Sequence, residues 1–328
     1  MTGTLGIHHV TAIAGDPQRN LDVYAGVLGL RLVKRTVNFD DPYTYHFYFG
    51  DEQGSPGSLI TFFPWRDAPA GQHGVGQVAV TSLAIPADSL GWWLHRFVAT
   101  GVRHEAPMRR GDEQVVSFRD PDGLRLELVA HPATGAVAGW SDGTVPAEHS
   151  IRRVHAVTLW VPTLEPTAAV LEALGFRAAD DREGTVRFLV GDGIPGAIVD
   201  VRAVGGFVRG HDGVGAVHHV AFRVPDDATE LSLRERVAGM GRRPTPVIDR
   251  SYFHSVYFRE PGGVLFELAT DMPGFLIDEP RSTLGHSLTL PPQFEARRAE
   301  IEGVLPPVQL PSALTAETSA FATDPDDS

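Results

Sequence analysis

Two histidine pairs could carry chemistry in this chain: His8–His9 in HHVT, and His218–His219 in HHVAF. A single pair of this kind reads as ordinary strand residues whose rings find backbone partners. Here each pair opens an apolar strand, and a carboxylate, Glu267, sits in the strand VLFELAT that follows the second. Two imidazoles and one carboxylate on one face hold a divalent metal and leave positions free for exogenous ligands, which suits non-haem Fe(II). Mn(II) fits the same donors, and Zn(II) is chemically allowed. With no cysteine in the chain, thiolate ligands, thiolate nucleophiles and disulfides are excluded, so any metal must use His and carboxylate.

Residues so far apart in sequence can meet only if the fold brings them together. Four segments share one order of elements, an apolar strand, an amphipathic helix and three strands joined by Gly and Pro turns. The chain therefore reads as an α+β protein of four βαβββ modules, over about 6–64, 75–131, 153–204 and 215–270. Strands are expected at short runs rich in Val, Phe, Leu and Ile, such as YHFYFG and LRLELVA. Apolar spacing predicts helices near Leu21–Leu28, Leu90–Thr100, Thr167–Leu174 and Leu231–Met240. The modules group into an N-terminal half (1–140), a linker (141–152) and a C-terminal half with an extension (153–302). The Pro, Ala, Thr, Ser and Asp-rich tail, 303–328, is expected to be disordered.

Internal repetition lets equivalent positions be compared within one sequence. In the opening strands, counting back from the closing Pro aligns His9 with Val80, Ala156 and His219. In the closing strands, the sixth residue after the Pro of SPG, DPDG, IPG and EPGG is Phe62, Glu127, Val201 and Glu267. If paired modules curl into half-barrels, these positions point inward, and the pairing decides whether metal can bind. First with fourth gathers His9, His219 and Glu267, with Phe62 as an apolar fourth face. Sequential pairing leaves one His and one Glu in each half, too few ligands for a catalytic metal. Second with fourth gives Glu127, His219 and Glu267, a weaker set. We favour first with fourth, leaving second with third as a metal-free barrel. Glu127 then has no imidazole partner and reads as a surface or relic residue; His155 aligns with His8 and reads as structural. His46 and His254 receive no assignment.

Composition bounds the remaining possibilities. At 328 residues, 42% hydrophobic and 21% charged, the chain has the makeup of a soluble enzyme of two domains. A net charge of -13 opposes a nucleic-acid backbone as partner. No apolar run approaches the roughly 18 residues of a membrane span, and MTGTLGIHHV has no signal-peptide pattern, so a cytoplasmic location is expected. No segment reads as an interface, which leaves a homo-oligomer open.

At HHVT, VHHVAF and DRSYFHSVYFREPGGVLFELATDMPGF the chain resembles the vicinal oxygen chelate superfamily, and within it the hydroquinone and chlorohydroquinone ring-cleaving dioxygenases. The resemblance extends to YHFYFGDEQGSPGSLITFFP and DEPRSTLG. It implies two half-barrel domains of this superfamily's type and an Fe(II)-dependent, extradiol-type ring-cleaving dioxygenase acting on a small hydroquinone or catechol with O2. By the same resemblance His9, His219 and Glu267 match the iron ligands, while Thr11, His218, Arg250 and Tyr257 surround the substrate. Arg250 and Tyr257 would orient a substrate hydroxyl, and His218 or Tyr257 would move the proton. Strand alternation puts Thr11 on the same face as His9. It sets His218 against His219 unless a bulge turns the strand. Two other functions fit such a chain: a metal-dependent isomerase or thiol transferase of glyoxalase type, which usually completes four protein ligands, and a metal-free small-molecule binding protein.

Overall fold

A computed structural model describes residues 3–140 and 143–310. The first module comprises β1 (Ile7–Ala14), α1 (Pro17–Leu21) continuing into a π-helical turn (Asp22–Val27), β2 (Arg31–Val37), β3 (Tyr45–Gly50) and β4 (Leu59–Pro64). The second comprises β5 (Gln77–Ile85), α2 (Leu90–Ala99), β6 (Met108–Arg110), β7 (Glu113–Arg119) and β8 (Arg125–Ala130). In the third, β9 (Arg153–Val161) and α3 (Leu164–Ala173) precede β10 (Arg177–Arg182), β11 (Thr185–Leu189) and β12 (Ile198–Ala203). The fourth holds β13 (Val217–Val224), α4 (Asp227–Gly239), β14 (Ile248–Asp249), β15 (Phe253–Arg259) and β16 (Leu265–Pro273). The helix α4 starts at Asp227 rather than near Leu231 because Asp226 caps it, accepting a hydrogen bond from the Thr229 amide at 2.8 Å.

Among the described residues the strands form two eight-stranded sheets, ordered β14-β15-β16-β13-β1-β4-β3-β2 and β10-β11-β12-β9-β5-β8-β7-β6. The antiparallel pair β1–β13 joins modules one and four, and β5–β9 joins modules two and three. First with fourth and second with third is therefore the pairing that forms. The helices cover one face of each sheet, where the main core lies. In the first sheet Tyr24 stacks 4.3 Å from Phe62 on that side. The opposite face carries a smaller cluster, including Tyr48, Leu59, Ala221, Phe253 and Ala269, which Phe275 and Leu284 of the C-terminal extension join. Lys34, fully buried, ties that extension down through Asp278 at 2.6 Å and through Glu279.

Strand register corrects one sequence expectation. The residues that face the opening strand two positions beyond His9, Val80, Ala156 and His219 are Thr61, Glu127, Asp200 and Glu267. Phe62 and Val201 instead join the helix-side core. Each inward residue is the fourth after a turn glycine with positive φ: Gly57 (95°), Gly123 (89°), Gly196 (92°) and Gly263 (106°). In SPG and IPG that glycine follows the Pro directly, whereas DPDG and EPGG insert one residue. Counting from the Pro therefore slips by one in two modules, and a slip of one residue moves a side chain to the other face.

Beyond α5 (Arg298–Val304), the chain through Leu310 packs on module one: Leu305 is buried, the Tyr45 hydroxyl donates to the Pro306 carbonyl at 2.9 Å, and the Gln309 amide donates to Gln18 at 2.8 Å. The rest of the tail, 311–328, lies outside the described residues.

Candidate metal centre

The β1–β13 seam shifts register twice: between Ile7 and His9, and between Thr11 and Ala12 opposite His219 and Val217. The extra residue is His8 in one strand and His218 in the other, so each is a bulge that reorients the side chain beside it. This is the condition that strand alternation sets for His218 and His219 to approach the same centre. The β5–β9 seam repeats both shifts, with Ala79 and His155 as the extra residues.

His9 Nε2 and His219 Nε2 lie 3.3 Å apart, and Glu267 Oε2 is 3.1 Å from the first and 2.8 Å from the second. All three residues are 4% exposed or less. Edges near 3 Å are what ligands about 2.1 Å from a metal and at right angles to each other would make. His9 Nδ1 meets His8 Nδ1 at 2.9 Å, and His219 Nδ1 meets His218 Nδ1 at 2.7 Å. With Nδ1 bonded to the neighbouring ring, Nε2 is the atom each imidazole turns toward Glu267, and it offers a lone pair to a metal in the tautomer whose proton sits on Nδ1. Glu267 Oε2 is buried against both Nε2 atoms and, among the described residues, has no further partner. Two ring nitrogens and a carboxylate oxygen converging on one point are the donor set that a divalent metal takes, so these residues fit such a metal.

The other carboxylate oxygen is fully engaged. Ser255 Oγ donates to Glu267 Oε1 at 2.5 Å and Tyr257 donates to it at 3.0 Å. Burial opposes the charge on Glu267, but His9 and His219 outweigh it and hold the carboxyl well below its usual range. Burial, helped by neighbouring His219, pushes His218 down to about 3, and burial likewise lowers His8, His46 and His219. Neutral imidazoles are the form that binds metal.

A cavity of about 560 Å³ opens on this centre, lined by His9, His219, His218, Arg250 and Tyr257, with Phe39, Phe63, Trp65, Tyr48 and Phe253 among its walls. Arg250 lies over the rings of Phe39 (5.6 Å) and Tyr257 (5.3 Å) and reaches Asp40 at 3.4 Å. Thr11 sits behind the wall, fully buried, bonded at 2.8 Å to Thr61, which in turn meets His46 Nε2 at 3.0 Å. Thr61, rather than Phe62, is the fourth inward residue, and its hydroxyl is occupied by these two bonds. Sequence reasoning missed Thr61, Ser255, Tyr48 and the role of His8. Counting from the turn glycines would have found Thr61.

The second barrel fills the matching region with ion pairs. Arg187 holds Asp200 through two contacts of 2.8 Å and Glu113 at 2.7 Å, Arg110 holds Glu127 and Glu113 at 3.0 Å, and His155 meets Glu113 at 2.9 Å. Glu127 is thus a buried ion-pair member rather than a surface residue.

The family model described as "Glyoxalase/Bleomycin resistance protein/Dioxygenase superfamily" matches residues 6–128 and 153–268. The chain is 46% identical over 305 residues to the Bacillus subtilis protein named "Putative ring-cleaving dioxygenase MhqO", covering 92% of this chain and 96% of that one. It is 33% identical over 308 residues to "Chlorohydroquinone/hydroquinone 1,2-dioxygenase" of Sphingobium indicum, covering 90% and 94%. A crystal structure described as a "putative dioxygenase" from Bacillus subtilis subsp. subtilis str. 168 superposes with a TM-score of 0.90 at 44% identity, covering 95% of this chain and 99% of that one. No helix among the described residues is long and apolar enough to cross a membrane. With matching modules in both halves and relatives aligned over nearly its whole length, the chain belongs to the glyoxalase/bleomycin resistance protein/dioxygenase superfamily.

Proposed function

We propose that the protein is an Fe(II)-dependent ring-cleaving dioxygenase that opens a small hydroquinone or catechol with O2. The observation that carries this is the convergence of two imidazole nitrogens and one carboxylate oxygen, with no fourth His or carboxylate ligand among the described residues, beneath an aromatic-walled cavity of about 560 Å³. A fourth protein ligand would be expected of the isomerase alternative; Thr61, at the position equivalent to Glu267, has its hydroxyl engaged by Thr11 and His46. Relatives named for ring cleavage, one of them for hydroquinone, support the same assignment. Mn(II) suits the same ligands.

His9 Nε2, His219 Nε2 and Glu267 Oε2 would hold the metal. Bound there, it supplies Lewis acidity toward a ring hydroxyl and a redox-active position beside it for dioxygen. The protein's own groups do the rest. Phe39, Phe63, Trp65 and Phe253 form an apolar slot that orients a planar ring and excludes water. Arg250 places a fixed positive charge in the slot, where negative charge on a ring oxygen is stabilised. Tyr257 and Ser255 fix Glu267 through its outer oxygen. With His219 Nε2 given to a metal, the remaining His219 proton would lie on Nδ1 and bond to His218 Nδ1, which leaves His218 a proton on Nε2 to donate as a hydrogen bond to an oxygen bound in the cavity. An oxygen electrode and ultraviolet spectra on anaerobically Fe(II)-loaded protein test the assignment with a panel of hydroquinones and catechols. One equivalent of O2 consumed per ring lost supports it, whereas bound iron with no oxygen uptake favours the isomerase or transferase.

A further inference from the structure

The two modules of the first barrel place one tyrosine each at equivalent register positions. Tyr257 on β15 lies across from Glu267 on β16, and Tyr48 on β3 lies across from Thr61 on β4. Since Thr61 and Glu267 are themselves equivalent, Tyr48 and Tyr257 flank the centre from opposite sides. Both line the same cavity.

Their hydroxyls differ in one respect. The chain has six tyrosines. Tyr24 bonds to Asp120, Tyr43 to Glu300, Tyr45 to the Pro306 carbonyl, Tyr252 to Asp278 and Tyr257 to Glu267. Among the described residues the Tyr48 hydroxyl has no partner, although the residue is only 2% exposed. A tyrosine this deeply buried ordinarily finds a hydrogen-bond partner. The ring is held in place: His46 packs on it at 4.0 Å between centroids while bonded to Thr61, and Phe275 meets it edge-on at 5.1 Å. The hydroxyl is near enough to Tyr257, Glu267 and Arg250 to sense their charges, and burial raises its pKa well above the usual tyrosine range, so it remains a proton donor.

We propose that Tyr48 contacts the substrate directly, its hydroxyl donating a hydrogen bond to an oxygen of the ring bound in the cavity. This rests on the ring-cleavage assignment and adds a donor from module one to Arg250 and His218 of the module-four side. The walls fix the plane of the ring; Tyr48 fixes its rotation within that plane.

The test is Tyr48→Phe, which keeps the ring and removes only the unpartnered hydroxyl. Metal content, melting temperature and the anaerobic dissociation constant for hydroquinones are measured on Fe(II)-loaded wild type and variant. The expected result is unchanged iron content and melting temperature with dissociation constants raised about tenfold, the loss of one hydrogen bond to an anionic oxygen. Equal affinities in wild type and Y48F overturn the inference while leaving the ring-cleavage assignment intact. Loss of iron from Y48F also overturns it, by placing the hydroxyl in metal retention. Wild type that holds iron but binds no ring of the panel overturns the ring-cleavage assignment and this inference with it.

Discussion

Arg187 faces Asp200 across β11 and β12 as Tyr257 faces Glu267 across β15 and β16. The two half-barrels thus solve the same problem, a buried inward carboxylate, in different ways. One gathers imidazoles that suit a metal, and the other fills the region with guanidinium groups. This makes the second barrel a self-compensated copy of the first.

Arg187→Met leaves Asp200 and Glu113 buried without their main counter-charge. Breaking a buried pair from one side costs about 3–5 kcal/mol. Urea unfolding should show a loss of that order, with the iron content of the folded protein unchanged. A loss below about 1 kcal/mol would mean that Arg110 and His155 suffice.

His8 is predicted to set the proton position and ring angle of His9. His8→Phe should weaken Fe(II) binding about 10-fold to 100-fold in a chelator competition. His8→Asn, which keeps an acceptor near Nδ1, should retain most of the affinity. Equal weakening in both variants would indicate a packing role instead.

Thr61→Glu places a carboxylate at the position equivalent to Glu267. The register predicts a fourth protein ligand, hence tighter metal retention and oxygen uptake reduced about 100-fold or more, with one exogenous position closed. Unchanged metal affinity in a folded variant would contradict the register drawn from the turn glycines.

Glu230, on α4, is fully buried, and among the described residues neither carboxyl oxygen has a hydrogen-bond partner. Burial raises its pKa from the ordinary 4.5 to about 7, with nearby His254 opposing the rise and Asp227 and Glu267 adding to it. Because the folded value lies above the unfolded one, the proton is held by the folded chain alone between the two. Its contribution is fully present below pH 4.5 and is lost as pH rises through about 7. Denaturant unfolding should show wild type losing about 2 kcal/mol more than Glu230→Gln between pH 5 and pH 8. Parallel pH profiles for the two proteins would place the titration elsewhere.

The module repeat was legible because apolar strands, helix spacing and Pro–Gly turns recur in one order. That repeat also made His9, His219 and Glu267 comparable within a single chain, and the need for three ligands selected the pairing of first with fourth. Phe62 was misplaced because its turn holds one residue fewer between Pro and strand than the turn before Glu267, and a period of two turns that difference into the wrong face. His218 conflicted with simple alternation because a bulge depends on the partner strand's register, which sequence patterns do not carry. Tyr48, Ser255 and Thr61 carry no motif of their own; their positions follow from cross-strand neighbours. Glu127 seemed unpartnered because its counter-charges, Arg110 and the wider Arg187 network, come from other strands.

The most direct test of the central claim uses 18O2 with Fe(II)-loaded protein and the best hydroquinone or catechol of the panel, followed by mass spectrometry of the product. Ring cleavage as proposed predicts an open-chain product carrying both labelled atoms, with solvent exchange at any aldehyde or acyl group controlled in H2 18O, and no product from His9→Ala. A product with its ring intact, or an open-chain product whose oxygen comes from water in that control, would contradict it.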